Sequence, residues 1–448
     1  MTVLAPKPEL PEFTPWSVPV LEEWVTSAGT RGRHLESEGT MLHVFMNFRQ
    51  PRDAEPRAIE GVTSLMGRLW NEGPVGLDAQ QFATECARQG LQMQLSGGMR
   101  GAGIGLNVPM ARVEGALALL ARVLLEPRFS ETDLERVRAN VIAERKESRS
   151  TPSTVAEETL NSVLFAEHER QSRPGEGTEA EIARITREDI VERFETLLRP
   201  QALTVVSSGP LSTEEFQALL EGSLAAWFAR EGRPADEDGE PAELREPGRL
   251  VFVDMPGRPQ TTLKLATPTV PASDPRNGSL SLAAKILGQG LESRINSELR
   301  DQKGYTYGLS AYGNMGKDRG AFAVMGNVEA KSTGPAIADL LRIIADFRAE
   351  GPTADEHRRA VESKVASLPI RNQDPAAIAR DTAGALMRGL GGDWSARQVE
   401  QYMASTPESI REHFAAIIPE RMSLVLVGDA ETCLPQLEAA GVTVDEVR

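Results

Sequence analysis

Thr186-Arg-Glu188-Asp-Ile190-Val-Glu192-Arg-Phe194 and Thr406-Pro-Glu408-Ser-Ile410-Arg-Glu412-His-Phe414 are one segment written twice, with five of nine positions identical at an offset of 220. Each copy runs on into an apolar strand that ends in glycine, Leu203–Gly209 and Leu424–Gly428. Upstream, Ser130-Glu-Thr-Asp133 and Thr353-Ala-Asp-Glu356 each open a charged helix. Both place a hydroxyl at the N-cap and a carboxylate three residues later, the capping-box spacing. Agreement in order and spacing at two separate places marks a duplicated α/β unit, one copy per half.

Between the copies lies Arg230-Glu-Gly-Arg-Pro-Ala-Asp-Glu-Asp-Gly-Glu-Pro, running on to Pro247-Gly248. It is rich in Pro, Gly and charge, the composition of a linker. The chain therefore divides into residues 1–229, a linker at 230–248, and residues 249–448. A length of 448 residues is too great for one core and agrees with that division.

The elements read alike in both halves. In the first, Leu42–Phe48 has strand character, Ile59–Trp70 is helical with one apolar face, and Met93–Val108 is a strand pair broken at Gly97-Gly98. Helices follow over Val113–Leu125, Glu131–Glu147 and Val155–Phe165. In the second, Leu263–Thr267 is a strand and Leu280–Leu299 is helical with an interruption at Gly288-Gln-Gly290. Tyr305–Asn314 and Ala321–Val328 read as strands, and Ser423–Val427 closes the unit. Strands and helices are segregated, so the expected class is α+β, with mixed or antiparallel sheets.

Composition narrows the function. Lys+Arg 49 against Asp+Glu 65 gives a net charge of −16, which disfavours nucleic acid as a partner. No run of 18 apolar residues exists, so no membrane span is expected. The first residues lack the apolar core of a secretory leader, which points to the cytoplasm. Two cysteines, Cys86 and Cys433, fit a reducing compartment and exclude a disulfide scaffold. There is no phosphate-binding G-x-x-x-x-G-K-[ST] loop and no G-x-S-x-G elbow. The histidines at 34, 43, 168, 357 and 413 never pair at helical spacing, so a two-histidine metal helix is absent.

Gly61-Val-Thr-Ser64-Leu-Met-Gly67-Arg68-Leu-Trp-Asn-Glu-Gly73 resembles the helix that carries H-x-x-E-H in pitrilysin/insulinase-type metallopeptidases, the inverted zincins. In active members the two histidines bind zinc and the glutamate activates water. Here the resemblance puts Ser64, Gly67 and Arg68 at those positions, and Glu144 at the third ligand. Gly67 has no base and Arg68 is permanently cationic, so the set is degenerate and no metal is expected in this chain. Ser293-Arg-Ile-Asn-Ser-Glu-Leu-Arg300-Asp-Gln-Lys-Gly304-Tyr305-Thr-Tyr307 resembles the family's second-half Arg/Tyr motif.

The resemblance covers nearly the whole chain. It implies a clamshell of two homologous α/β halves and a role as the zinc-less subunit of a two-chain peptidase. The partner would be a homologous chain with an intact H-x-x-E-H motif, holding the zinc. Arg300 and Tyr307 would contact the scissile carbonyl of a peptide or unfolded protein cut in that complex. Read from the residues, Arg300 closes a helix, Gly304 takes a left-handed exit and Tyr307 begins the next strand. Arg68 and Glu144 are expected to form an ion pair, on the argument that a buried carboxylate needs a cation. The edge strand around Met93–Gly98 corresponds to the family's substrate-binding edge, a role that lapses without zinc. The alternative reading is an inactive scaffold or peptide-binding protein, homodimeric in isolation.

Overall fold

The computed structural model describes residues 16–448 except 52, 231–239 and 315. The N-terminal stretch read for a leader and positions 231–239 of the expected linker lie outside the described residues.

The first half opens with β1 (Glu23–Val25), β2 (Arg31–Glu36) and β3 (Met41–Arg49). Two helices, α1 (Val62–Trp70) and α2 (Ala79–Arg88), lead to the hairpin β4 (Gln92–Gly98) and β5 (Gly101–Pro109). Then come α3 (Val113–Leu125), α4 (Glu131–Ser148), α5 (Pro152–Leu164), α6 (Glu179–Ile182) and α7 (Arg187–Leu197). β6 (Leu203–Gly209), α8 (Thr213–Ser223) and α9 (Ala225–Phe228) complete it.

The second half repeats the order. It runs β7 (Leu250–Asp254), β8 (Gln260–Thr269), α10 (Asn277–Gly288) and α11 (Arg294–Asn296), the last continued by a π-helical turn over Ser297–Gln302. The hairpin is β9 (Gly308–Asn314) and β10 (Gly320–Glu329). Helices α12 (Thr333–Glu350), α13 (Ala354–Arg371), α14 (Pro375–Met387), α15 (Trp394–Ala404) and α16 (Pro407–Ile417) precede β11 (Ser423–Gly428), α17 (Ala430–Ala439) and β12 (Glu446–Val447).

The duplicated nonapeptide forms α7 and α16, and its identities have physical reasons. Thr186 and Thr406 are N-caps in capping boxes with Asp189 and Ser409. Ile190, Phe194, Ile410 and Phe414 are buried. Phe194 meets Trp70 and Phe129 edge to face, and Phe414 meets Phe322 and Phe347 likewise.

Each half builds one six-stranded mixed sheet, in the orders β1-β2-β6-β3-β5-β4 and β12-β7-β11-β8-β10-β9. The orders coincide under the repeat except at one edge. There β1 pairs antiparallel with β2, whereas β12 arrives from the C-terminus and runs parallel to β7. The opposite edges, β4 and β9, correspond.

Each sheet is covered on one face by its own helices and on the other by a helix from the other half. Ala156, Leu160 and Val163 of α5 pack on Val251, Val425 and Val427 of the second sheet. Ile378, Ala379 and Ala383 of α14 pack on Val206 and Phe45 of the first. Burial of Leu160, Val163 and Ile378 contributes about 1.5–3 kcal/mol each, and less for the alanines, so the exchange ties the halves together.

Local readings are refined at several points. The first helix starts at Val62, because Gly61 sits at φ 94° and Arg57–Ile59 is a short 3-10 turn. The first hairpin turns at Met99-Arg100, not at Gly97-Gly98, which stay in β4. The interruption in the Leu280–Leu299 helix is wider than read, and β9 begins at Gly308 rather than Tyr305. The end of the linker is anchored: Ala242 is buried and Leu244 bridges to Phe165.

Candidate functional site

The sequence-derived residues fall in two places that correspond under the repeat. Ser64, Gly67, Arg68 and Glu144 lie beside the β4 edge, and Arg300 and Tyr307 lie beside the β9 edge.

The first place is held from beneath by buried charge. Glu55 accepts from the backbone N–H groups of Gly61 and Thr63, both at 2.9 Å, and so caps α1. Its charge is answered by Arg170 at 3.4 Å, while Glu60 accepts from Arg173 Nε at 2.9 Å. Arg193, on α7, donates to Thr63 Oγ1 at 3.0 Å and also reaches Gln50. Burial lowers the Arg193 guanidinium pKa, partly offset by Glu55. None of these supports was read from the sequence; the arginines at 170, 173 and 193 meet their partners across more than a hundred residues.

On that footing α1 presses against β4. A Cβ on Gly67 would stand 2.2 Å from Gly97 N and 2.7 Å from Gly97 Cα. Only glycine permits this approach. The position that the resemblance matches to the family's general base therefore has backbone against it. One turn on, Asn71 donates to Leu95 O at 2.7 Å and accepts from Leu95 N–H at 3.2 Å. That clamp uses both backbone groups that Leu95 turns outward from the sheet, where an added strand would pair.

Arg68 meets Glu144 at 2.7 Å and Glu176 at 3.5 Å, so the expected ion pair is present. Its stated motive needs correction: the Glu144 side chain is 56% exposed and that of Arg68 38%, so the pair is a surface one. Ser64 is buried. Among the described residues no group of three or more His, Cys, Asp or Glu is arranged to hold a metal. Serine, glycine and a guanidinium offer no donor set for zinc, and Gly67 has no space for a replacement.

The second place is open. The π turn places the Lys303 N–H on Glu298 O at 3.0 Å, and Gly304 exits left-handed at φ 66° with its N–H on Arg300 O at 3.1 Å. Lys303 bridges Glu298 at 2.7 Å and Asp339 at 2.6 Å, and Asn296 clamps Leu309 through both backbone groups at 3.0 and 2.8 Å. The turn and the start of β9 are thus fixed. At this frame stand Arg300, half-buried and ion-paired among the described residues with its neighbour Asp301 at 3.2 Å, and Tyr307, which is 93% exposed. Among the described residues the Tyr307 hydroxyl has no hydrogen-bond partner.

Comparison with known proteins shows the family. The family profile "Insulinase (Peptidase family M16)" matches residues 53–175, and "Peptidase M16 inactive domain" matches residues 184–364. The chain is 22% identical over 379 residues to the "Non-peptidase homolog YmxG" of Helicobacter pylori, spanning 84% of this chain and 86% of that one. It is 23% identical over 331 residues to an uncharacterized zinc protease of Streptomyces coelicolor, spanning 70% and 68%. The crystal structure of a peptidase M16 inactive domain from Pseudomonas fluorescens superposes with a TM-score of 0.84 at 22% identity, covering 91% of this chain and 98% of that one.

Proposed function

Because the chain belongs to the insulinase (M16) family, as an inactive homologue, we propose that it is the zinc-free subunit of a two-chain metallopeptidase. A homologous chain with an intact H-x-x-E-H motif supplies the zinc. This chain forms the other wall of the clamshell and presents Arg300 and Tyr307 to the peptide bond being cut. The observation that carries the reading is Tyr307, 93% exposed, its hydroxyl without a partner among the described residues, just after the turn in which Arg300 O accepts from Gly304 N–H. Exposing a large aromatic there has no stabilising return of its own. A guanidinium and a phenol together can donate several hydrogen bonds to a carbonyl oxygen as negative charge develops on it. The substrate class is peptides or unfolded segments able to enter the chamber. The thiols Cys86 and Cys433, both free, support a cytoplasmic setting.

The test is reconstitution with the homologous zinc-binding chain. Arg300→Ala or Tyr307→Phe should lower peptide turnover at least about tenfold, about 1.4 kcal/mol of barrier, while the two chains still co-elute. Unchanged turnover in both variants would defeat the reading. A second reading, an inactive structural subunit, is favoured by the clamped β4 edge, which leaves Leu95 no outward backbone group for an incoming strand. A stable homodimer that retains no zinc-binding chain in pull-downs would establish it instead.

A further inference from the structure

A cavity of about 200 Å³ lies where the two halves and their connection meet. Its wall carries Arg49, Arg100, Lys317, Arg319 and Arg388 against one acid, Asp318. A chain with 49 basic and 65 acidic residues would not assemble that wall by composition alone. The cations also come from unrelated places. Arg100 is at the tip of the β4–β5 hairpin, Arg319 at the tip of the β9–β10 hairpin, and Arg388 follows α14. Gln50 donates to Gly98 O at 3.2 Å and Met99 O at 3.1 Å in the first hairpin, and the Ala272 N–H reaches Gly316 O at 2.9 Å in the second.

Among the described residues Arg100, Arg319 and Arg388 have no anionic partner within ion-pair distance. Arg388 Nε is buried with no acceptor among the described residues, as are the Nε atoms of Arg33, Arg128, Arg138, Arg145 and Arg170. Burial, and then the charge of Arg100, hold the Arg388 pKa below its ordinary value, with Asp381 opposing. The bland explanation is that Arg388 offsets the negative end of α14. That accounts for one arginine. It does not account for two more, delivered from hairpins of different sheets, whose convergence costs repulsion.

We propose that this junction is a binding site for a small phosphate-bearing molecule. Guanidinium groups bind phosphate oxygens in bidentate fashion, and three of them suit a dianionic group better than a single carboxylate. Phe165 and Met387 in the same wall give a compact organic portion an apolar surface. A ligand here touches both halves at once, so occupancy should stabilise the whole chain by mass action.

The experiment uses the purified full chain, titrated with inorganic pyrophosphate by calorimetry and by thermal melting, with sodium chloride held at matched ionic strength. Saturable binding is expected with half-saturation below about 1 mM, accompanied by a rise in melting temperature. Arg100→Gln/Arg388→Gln should weaken it at least about tenfold, whereas Arg358→Gln, an exposed arginine paired with Asp355 and Glu362, should leave it unchanged. If loss of the half-buried Arg388 prevents folding, Arg100→Gln/Arg319→Gln, at two exposed hairpin tips, gives the same reading. An effect reproduced by chloride alone, or pyrophosphate affinity equal in the wild-type chain and a folded double variant, would overturn the site.

Discussion

The edge units of the two halves, α1 with β4 and α10–α11 with β9, have the same parts and opposite outcomes. In both, an asparagine clamps a leucine of the edge strand through its two outward backbone groups, Asn71 on Leu95 and Asn296 on Leu309. In the first unit the positions that the resemblance matches to a zinc site hold Ser64, Gly67 and Arg68, and β4 backbone lies directly against Gly67. In the second, a rigid turn holds Tyr307 out of the fold, its hydroxyl without a partner among the described residues, while Arg300 is half-buried and paired with its neighbour Asp301. A position free of functional demand drifts toward packing. A position still exposed at a cost is where demand is to be sought.

The hardest test of this contrast is to put the lost base back. Gly67→Glu should destabilise the chain by at least about 3 kcal/mol, read as a fall in the denaturant midpoint, because the new Cβ meets Gly97 backbone rather than a flexible side chain. Gly67→Ala should destabilise too, although alanine in a helix is ordinarily worth about 1 kcal/mol over glycine. A neutral or stabilised Gly67→Ala would show that the unit is loose and that the site decayed without closing.

The helix pairs behind the edges sharpen the comparison. Between α1 and α4 the charges complement, Arg68 with Glu144. Between the corresponding α10 and α13 they repel. The Lys364 amine is pushed down to about 8 from 10.5, first by burial and then by Lys285 and Arg371. Its folded pKa is thus below the unfolded one. Below pH 8 both states hold the proton and the native state bears the full cost of the buried charge. From about 8 to 10.5 the unfolded state binds more proton, so stability rises with pH, and above that window the cost is gone. Lys364→Met should therefore stabilise the chain by roughly 1–3 kcal/mol at pH 7 and abolish that rise. Arg68→Met, which breaks an exposed pair, should cost about 1 kcal/mol or less. Denaturant unfolding at pH 7 and pH 10 separates the two, and a Lys364→Met variant no more stable at pH 7 would refute the assignment.

The asparagine clamp comes next in size. Asn71→Ala removes three hydrogen bonds, to Gly67 O at 2.8 Å and to both backbone groups of Leu95, and should cost about 1–2 kcal/mol. It also frees the β4 edge, so the variant should self-associate more readily than the wild-type chain by light scattering. A variant that stays as stable and as monodisperse as the wild type would show that the clamp does not guard the edge.

How much of this was legible depended on distance along the chain. The repeat was legible in the nonapeptide itself, and Ser130 and Thr353 announced α4 and α13 through their capping spacing. The Arg68–Glu144 pair was legible through the family resemblance, while its exposure was not. The short strands β1, β2, β7 and β12 carry too few residues for a periodic signal. The exchange of α5 and α14 is invisible because an amphipathic helix specifies that it must bury a face, not which sheet receives it. Asn71, Asn296 and the arginines at 100, 319 and 388 look like ordinary surface polar residues until the topology brings their partners within reach.

The smallest expected effect concerns Tyr307. Its side chain touches no core, and its hydroxyl has no partner among the described residues, so Tyr307→Ala should change stability by no more than about 0.5 kcal/mol. In the reconstituted complex the same substitution should remove at least as much turnover as Tyr307→Phe. The two readouts together decide which way the open edge unit is to be understood. A change confined to turnover means the phenol is displayed for a substrate. A stability loss above about 1 kcal/mol, with turnover falling only as folded protein is lost, means it buttresses the β9 turn, and the contrast between the two edges reduces to one of packing.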